Sequence, residues 1–168
     1  VKLNNEEIDL FSRTGTSVSH CPCSNMRLGS GILPLNKMLE RGVNIGLGVD
    51  GSASNDSGNL LNEARQALYL QRVNETNNFY LNARNAIWLA SAGGAIALNR
   101  DDIGSIKIGN CADFAIYDTS SLELAGSVED PIGGLIFCGP LKTKWTICNG
   151  HIISENNNIK NINIEDTI

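Results

Sequence analysis

Residues 43–50 read VNIGLGVD. Val43, Ile45, Leu47 and Val49 alternate with Asn44, Gly46, Gly48 and Asp50, which is the period of a β-strand with two unlike faces. The aliphatic face suits packing against helices. The glycine face leaves room, and Asp50 continues it at the strand's C-terminal end. Upstream, Leu33 to Arg41 reads as a helix closed by Gly42. Before it, the β-branched and small run Thr16 to His20 reads as a short strand entering the loop CPCSNMRLGSG, residues 21–31. At the start, Asn4 and Glu7 have capping-box spacing, with Ile8 and Phe11 at helical period and Gly15 as a stop, so residues 4–14 read as a helix.

Downstream, the small polar loop GSASNDSGN (51–59) leads into a helix carrying Leu60, Leu61, Ala64, Ala67, Leu68 and Leu70. Residues 80–98 predict more helix, capped by Asn82 and interrupted at Gly93 and Gly94. Helix, strand, helix, strand, helix is the order of an α/β fold with parallel strands, either a barrel or a doubly wound sheet. From Asn99 onward short strands alternate with glycine and asparagine turns, so the last third reads as β-rich. Asn149-Gly150 between two apolar runs marks a hairpin. The tail ENNNIKNINIEDTI (155–168) reads as loosely ordered.

The 168 residues carry a net charge of −5 with scattered Lys and Arg, which gives no footprint for nucleic acid. No apolar run reaches membrane-span length, and the N-terminus has no signal-like pattern, so the expectation is a cytoplasmic protein. Five cysteines (Cys21, Cys23, Cys111, Cys138, Cys148) without a secretory context read as reduced thiols. The chain starts at valine just ahead of a helix, and we read its beginning as lying further upstream.

Asp50 has two readings. Asp-Gly is a common turn pair, yet a carboxylate at the C-terminal end of a barrel strand is where barrel enzymes place reacting groups. His20, Cys21 and Cys23 raise the question of zinc, but a structural site takes four ligands and no second Cys or His pair follows at suitable spacing. His20 therefore reads as a strand-end histidine donating hydrogen bonds to nearby backbone. Glu63, Glu75, Asp101, Asp102, Asp113 and Asp118 read as surface or turn carboxylates, and Trp88 and Phe114 as core. Asn25, Arg27 and Asn55 read as solvated turn formers, and no substrate-binding residue is assigned.

The run from HCPCSNMRLGSG (20–31) through VNIGLGVDGSASN (43–55) to Val73 resembles the cytosine-deaminase-like and chlorohydrolase-like branch of the amidohydrolases. AIALNRDDIGSIKIGNCA (95–112) is similar to that branch's link from barrel to β-sandwich. SLELAGSVEDPIGGLIFCGPLKTKWTICNG (121–150) looks most like 8-oxoguanine deaminases, with hydroxytriazine aminohydrolases close behind. The resemblance implies that residues 1–98 are the last two strands and helices of a TIM-type (β/α)8 barrel, and residues 99–168 part of a small β-sandwich domain. It implies one divalent metal, zinc or iron, with Asp50 as metal ligand and catalytic proton acceptor, and His20 as a second-shell residue. It implies a hydrolytic deaminase that releases ammonia from a small heterocycle such as 8-oxoguanine. The alternatives are a triazine, S-adenosylhomocysteine or methylthioadenosine as substrate, or a truncated domain without catalysis. The family's other ligands and its catalytic glutamate would precede Val1, so these residues alone are expected to bind metal weakly, to be inactive, and to be poorly soluble or oligomeric. A homo-oligomer is an expectation for the complete protein.

Overall fold

The computed structural model describes residues 1–74, 81–139 and 141–160. Helix α1 (Asn5–Thr14) begins at the capping box of Asn4 and Glu7 and ends at Gly15, whose φ of 64° closes the turn. Strand β1 (Val18–His20), helices α2 (Pro22–Arg27) and α3 (Leu35–Glu40), and strand β2 (Ile45–Leu47) follow. The two strands are parallel, with Val18 opposite Ile45, Ser19 opposite Gly46 and His20 opposite Leu47. Helices α4 (Leu60–Asn74), α5 (Ala83–Leu89) and α6 (Ala92–Ala97) complete an α/β unit. Its core gathers Ile8, Leu35, Met38, Ile45, Leu68, Leu81 and Leu89.

The glycine face of β2 is closed rather than open. A Cβ on Gly46 would stand 2.7 Å from the Cα and 3.0 Å from the nitrogen of Gly94, and one on Gly93 would stand 2.6 Å from the carbonyl oxygen of Ile45. The glycines of α6 thus let the helix backbone lie directly on the strand, and they sit inside the helix instead of interrupting it. The break falls at Ser91, whose φ of −130° and ψ of −88° are not helical. Gly46→Ala is expected to cost about 1–3 kcal/mol, because backbone atoms cannot rotate away from the added methyl. Gly51→Ala, with nothing within 4 Å of the new carbon, should stay within about 0.5 kcal/mol of wild type. Urea midpoints of the two variants test the contrast.

Beyond residue 99, strands β3 (Phe114–Ile116), β4 (Trp145–Cys148), β5 (His151–Glu155) and β6 (Asn158–Ile159) form an antiparallel sheet in that order. Asn149 and Gly150 join β4 to β5 with φ values of 47° and 79°, and Asn156 and Asn157 join β5 to β6 at 48° and 69°. Two successive left-handed residues match the twist of the flanking strands. The tail is therefore ordered through residue 160, and the expectation for residues 161–168 lies outside the described residues. The last third is not all β. A 3-10 helix (Leu122–Ser127) precedes helix α7 (Pro131–Phe137), which Asp130 caps by accepting from the Gly133 N–H. Helix α7 packs on α4 and α5. Arg65 on α4 donates to the carbonyls of Ile136 and Gly139 at the end of α7, and Tyr69 stacks on Phe137 at 6.0 Å.

Two expected core aromatics are not fully buried. Trp88 is 43% exposed, with one ring edge near Gly93, and Phe114 is half-buried on the first strand of its sheet.

Candidate active site

Strand β2 ends at Leu47, one ladder bond beyond which Gly48 donates to the carbonyl of His20. A Cβ on Gly48 would stand 2.4 Å from the Ser19 hydroxyl. The strand's alternation does not carry on to Asp50, whose φ of 62° is left-handed. Aspartate tolerates that region better than most side chains, but at a cost. Side-chain contacts fix its direction instead. One carboxylate oxygen, Oδ2, accepts from the Ser24 hydroxyl at 2.6 Å and from the Ser54 hydroxyl at 3.0 Å. The other, Oδ1, accepts from the Gly51 N–H at 2.8 Å. These donors, Ser24 foremost, then Gly51 and Ser54, hold the Asp50 carboxyl below the usual aspartate range. A carboxylate offers about four lone-pair positions. Among the described residues three are taken, and the one left on Oδ1 belongs to an exposed residue at the end of a parallel strand pair.

The turn reading of Asp-Gly is also realised: Ser54 and Asn55 both donate their N–H to the Gly51 carbonyl at 3.0 Å. Ser24 is buried on α2, a helix within the stretch 21–31 expected to be a loop. Pro22 stands in its first turn, and the N–H of Cys23 donates at 2.9 Å to Glu63, so a contact from forty residues downstream holds its start.

Glu63 corrects another expectation. It is 0% exposed, not a surface carboxylate. Its second oxygen accepts at 2.7 Å from the Asn55 amide, which also donates to the Val49 carbonyl at 2.8 Å. Asn55 is accordingly buried and not a solvated turn former. Burial, and then the neighbouring Glu63 carboxylate, push the Cys23 thiol up to about 12. A signal for Glu63 existed in the sequence. On α4 the buried positions are Glu63, Ala64, Ala67, Leu68 and Gln71, a single stripe at helical spacing. Arg27 pairs with Asp56 at the surface, bridging α2 to the loop after Asp50. Of the other carboxylates, Asp102 pairs with Arg100 and Asp118 with Lys144, both at the surface, and Glu75 lies outside the described residues.

His20 is 2% exposed, and neither ring nitrogen has a hydrogen-bond partner among the described residues. The expected bonds from its ring to backbone are absent there, and its ring makes no bond to Asp50. Burial lowers its pKa to about 4. Cys21, Cys23, Cys111, Cys138 and Cys148 are free thiols. No cluster of three or more His, Cys, Asp or Glu capable of holding a metal occurs among the described residues. Asp50, charged, exposed and with a free lone pair, fits as one oxygen ligand and leaves the rest of any centre to other residues.

The profile of the amidohydrolase family matches residues 1–162. The chain belongs to the amidohydrolase family. Among amidohydrolase relatives, it is 45% identical over 138 residues to the 8-oxoguanine deaminase of Pseudomonas aeruginosa, covering 82% of this chain and 30% of that protein. It is 35% identical to the 5-methylthioadenosine/S-adenosylhomocysteine deaminase of Pelotomaculum thermopropionicum, covering 98% of this chain and 38% of that one. The atrazine chlorohydrolase of Arthrobacter aurescens TC1, solved complexed with zinc, superposes with a TM-score of 0.92 at 33% identity, covering 99% of this chain and 37% of that one. The chain thus spans between 30% and 38% of the length of these three amidohydrolases. Among the described residues no helix is long and apolar enough to cross a membrane.

Proposed function

We propose that the whole protein is a metal-dependent hydrolytic deaminase that converts 8-oxoguanine, or a related aminated purine, to the oxo product with release of ammonia. The observation that carries this reading is the Asp50 carboxylate, kept ionised by three donors and exposed with one lone pair free. Residues 1–98 are read as the last two strands and helices of a (β/α)8 barrel, with Asp50 at the C-terminal mouth where such folds carry their chemistry. Residues 99–168 are read as part of an appended β-sandwich. The likeness to an 8-oxoguanine deaminase supports the substrate class.

In this reading a divalent ion, zinc or iron, would be held in part by Asp50 and would lower the pKa of a bound water toward neutrality. The one free Oδ1 lone pair would serve one role at a time, as ligand to the ion or as acceptor for a water proton. Ser24 and Ser54 keep the carboxylate oriented in either role. The remaining ligands and the proton donor for the leaving amine come from outside these 168 residues.

A second purine reading has its own support. The 5-methylthioadenosine/S-adenosylhomocysteine deaminase relative covers 98% of this chain, against 82% for the 8-oxoguanine deaminase. Ammonia release by the purified whole protein from 8-oxoguanine, S-adenosylhomocysteine, methylthioadenosine and aminotriazines separates the readings. We expect the highest kcat/KM with 8-oxoguanine. Turnover confined to the adenosine derivatives would move the assignment to them, and no release from any of the four would refute the deaminase reading.

A further inference from the structure

We propose that Glu63 is a positioning residue for Asp50, acting on both sides of its carboxylate without touching it. The inference rests on the reading of Asp50 given above. Glu63 is fully buried near the start of α4. Its Oε2 accepts from the backbone N–H of Cys23, the residue before Ser24. Its Oε1 accepts from the Asn55 amide, which also donates to the carbonyl of Val49, the residue before Asp50. One carboxylate therefore ties the segment that donates to Asp50 and the segment that carries Asp50 to the same helix. The Ser24 to Asp50 hydrogen bond, at 2.6 Å, lies across that junction.

The chemistry of the position is specific. Two N–H donors converge on Glu63 from different segments, and only a group with two acceptor oxygens at this reach satisfies both. Glutamine has the same shape but presents one acceptor and one NH2 group. It answers one donor and sets its own N–H against the other, so one arm is released. Around this junction, Ser57 donates to the Asn55 side-chain Oδ1 at 3.1 Å, and Asn62 donates to the Cys23 sulfur at 3.3 Å. These bonds steady Asn55 and Cys23 individually. They do not join the two arms.

The backbone between Val49 and Gly51 turns through the left-handed φ of Asp50, a conformation that persists only where surroundings hold it. The Asn55 to Val49 bond is such a hold on the strand side, and the Gly51 N–H to Asp50 bond reports whether it has been kept.

The test uses the whole protein with Glu63→Gln, Asn55→Ala and Asp50→Asn. For Glu63→Gln we expect kcat to fall about 10- to 100-fold with KM within about 3-fold of wild type, in the range seen when partners of a metal ligand are lost. Bound metal per chain should fall, and hydrogen exchange at the Gly51 amide should rise while the sheet from Phe114 to Glu155 keeps its protection. Asn55→Ala cuts one arm only and should give the same pattern at smaller amplitude, which keeps the question open to test if Glu63→Gln does not fold. Wild-type kcat and unchanged Gly51 exchange in these variants would overturn the proposal. So would a rise in exchange spread evenly through the four-stranded sheet, which is what a merely structural role produces. Failure of the Asp50 reading shows separately, as wild-type turnover in Asp50→Asn, and the Gly51 exchange then still decides whether Glu63 holds the loop.

Discussion

Asp50→Asn is expected to lower kcat/KM of the whole protein by about 10³-fold, within the range for losing a positioned proton acceptor. The substitution keeps shape and backbone preference, since asparagine also accepts left-handed φ. It removes the charge and replaces an acceptor oxygen with an NH2 group. Ser24 and Ser54 can still donate to the remaining oxygen, so the loop should hold its course. Asp50→Gly provides the complementary case. Glycine takes the φ of 62° without strain, but it gives up the bonds from Ser24, Ser54 and Gly51 and leaves the buried Ser24 hydroxyl without its acceptor, so stability should fall below that of Asp50→Asn, while turnover falls as far as in Asp50→Asn. Equal loss of turnover in two variants of unequal stability separates chemistry from folding. Steady-state kinetics and urea melts on the two variants measure both quantities. Retention of kcat/KM within tenfold in Asp50→Asn would sink the assignment.

The parts of the fold visible in the sequence are those set by local interactions. Asn4 with Glu7, Asn82 ahead of α5, and Asn149-Gly150 each satisfy backbone groups within three or four residues of themselves, and all three were legible for that reason. Strand β2 is legible through period-two alternation around Ile45, β1 through the β-branched run ending at His20, and their parallel pairing through the helix and strand order. The features missed are made by tertiary contact. Helix α2 has no side-chain cap of its own at Cys21 and depends on Glu63 for a partner to its Cys23 N–H. Gly46, Gly93 and Gly94 read as open space and an interruption, whereas they mark a close approach of helix to strand. Such an approach involves residues nearly fifty positions apart, beyond any local window. Helix α7 did carry a local signal, Asp130 before Pro131. The pair Gly133-Gly134 masked it, because glycine lowers helix propensity, yet Cβ atoms there would meet Asp130, Ser127 and Leu124.

The candidate site divides in the same way. Asp50 stood out by its position after an alternating strand, but its direction is set by Ser24, Ser54 and Gly51 rather than by strand parity. Glu63 and Asn55 carry side-chain types common on surfaces. Their burial is a property of how α4 lies on α2 and on the loop after β2, and only the stripe with Ala64, Ala67 and Leu68 hinted at it.

His20 gives the chain a pH dependence that carboxylates do not share. Its ring is 2% exposed without a hydrogen-bond partner among the described residues, and burial holds its folded pKa at about 4 against 6.5 when unfolded. The folded state therefore binds a proton less readily than the unfolded state. The site's contribution is fully present above pH 6.5, declines as the pH falls below that value, and is spent once it passes through about 4. At roughly 1.36 kcal/mol per pKa unit, the loss between pH 7 and pH 4.5 comes to about 2.5 kcal/mol. Asp102, held below the usual range by Arg100, and Asp118, held there by the Ser120 hydroxyl and N–H and then by Lys144, lose their contributions only below about pH 4, outside this window. His20→Leu removes the titrating ring from a site where none of the described residues partners it. Urea unfolding followed by the fluorescence of Trp88 and Trp145 should show wild type losing about 2.5 kcal/mol from pH 7 to 4.5 and His20→Leu losing less than about 1. Equal losses in the two proteins would mean that the ring is not held neutral by burial.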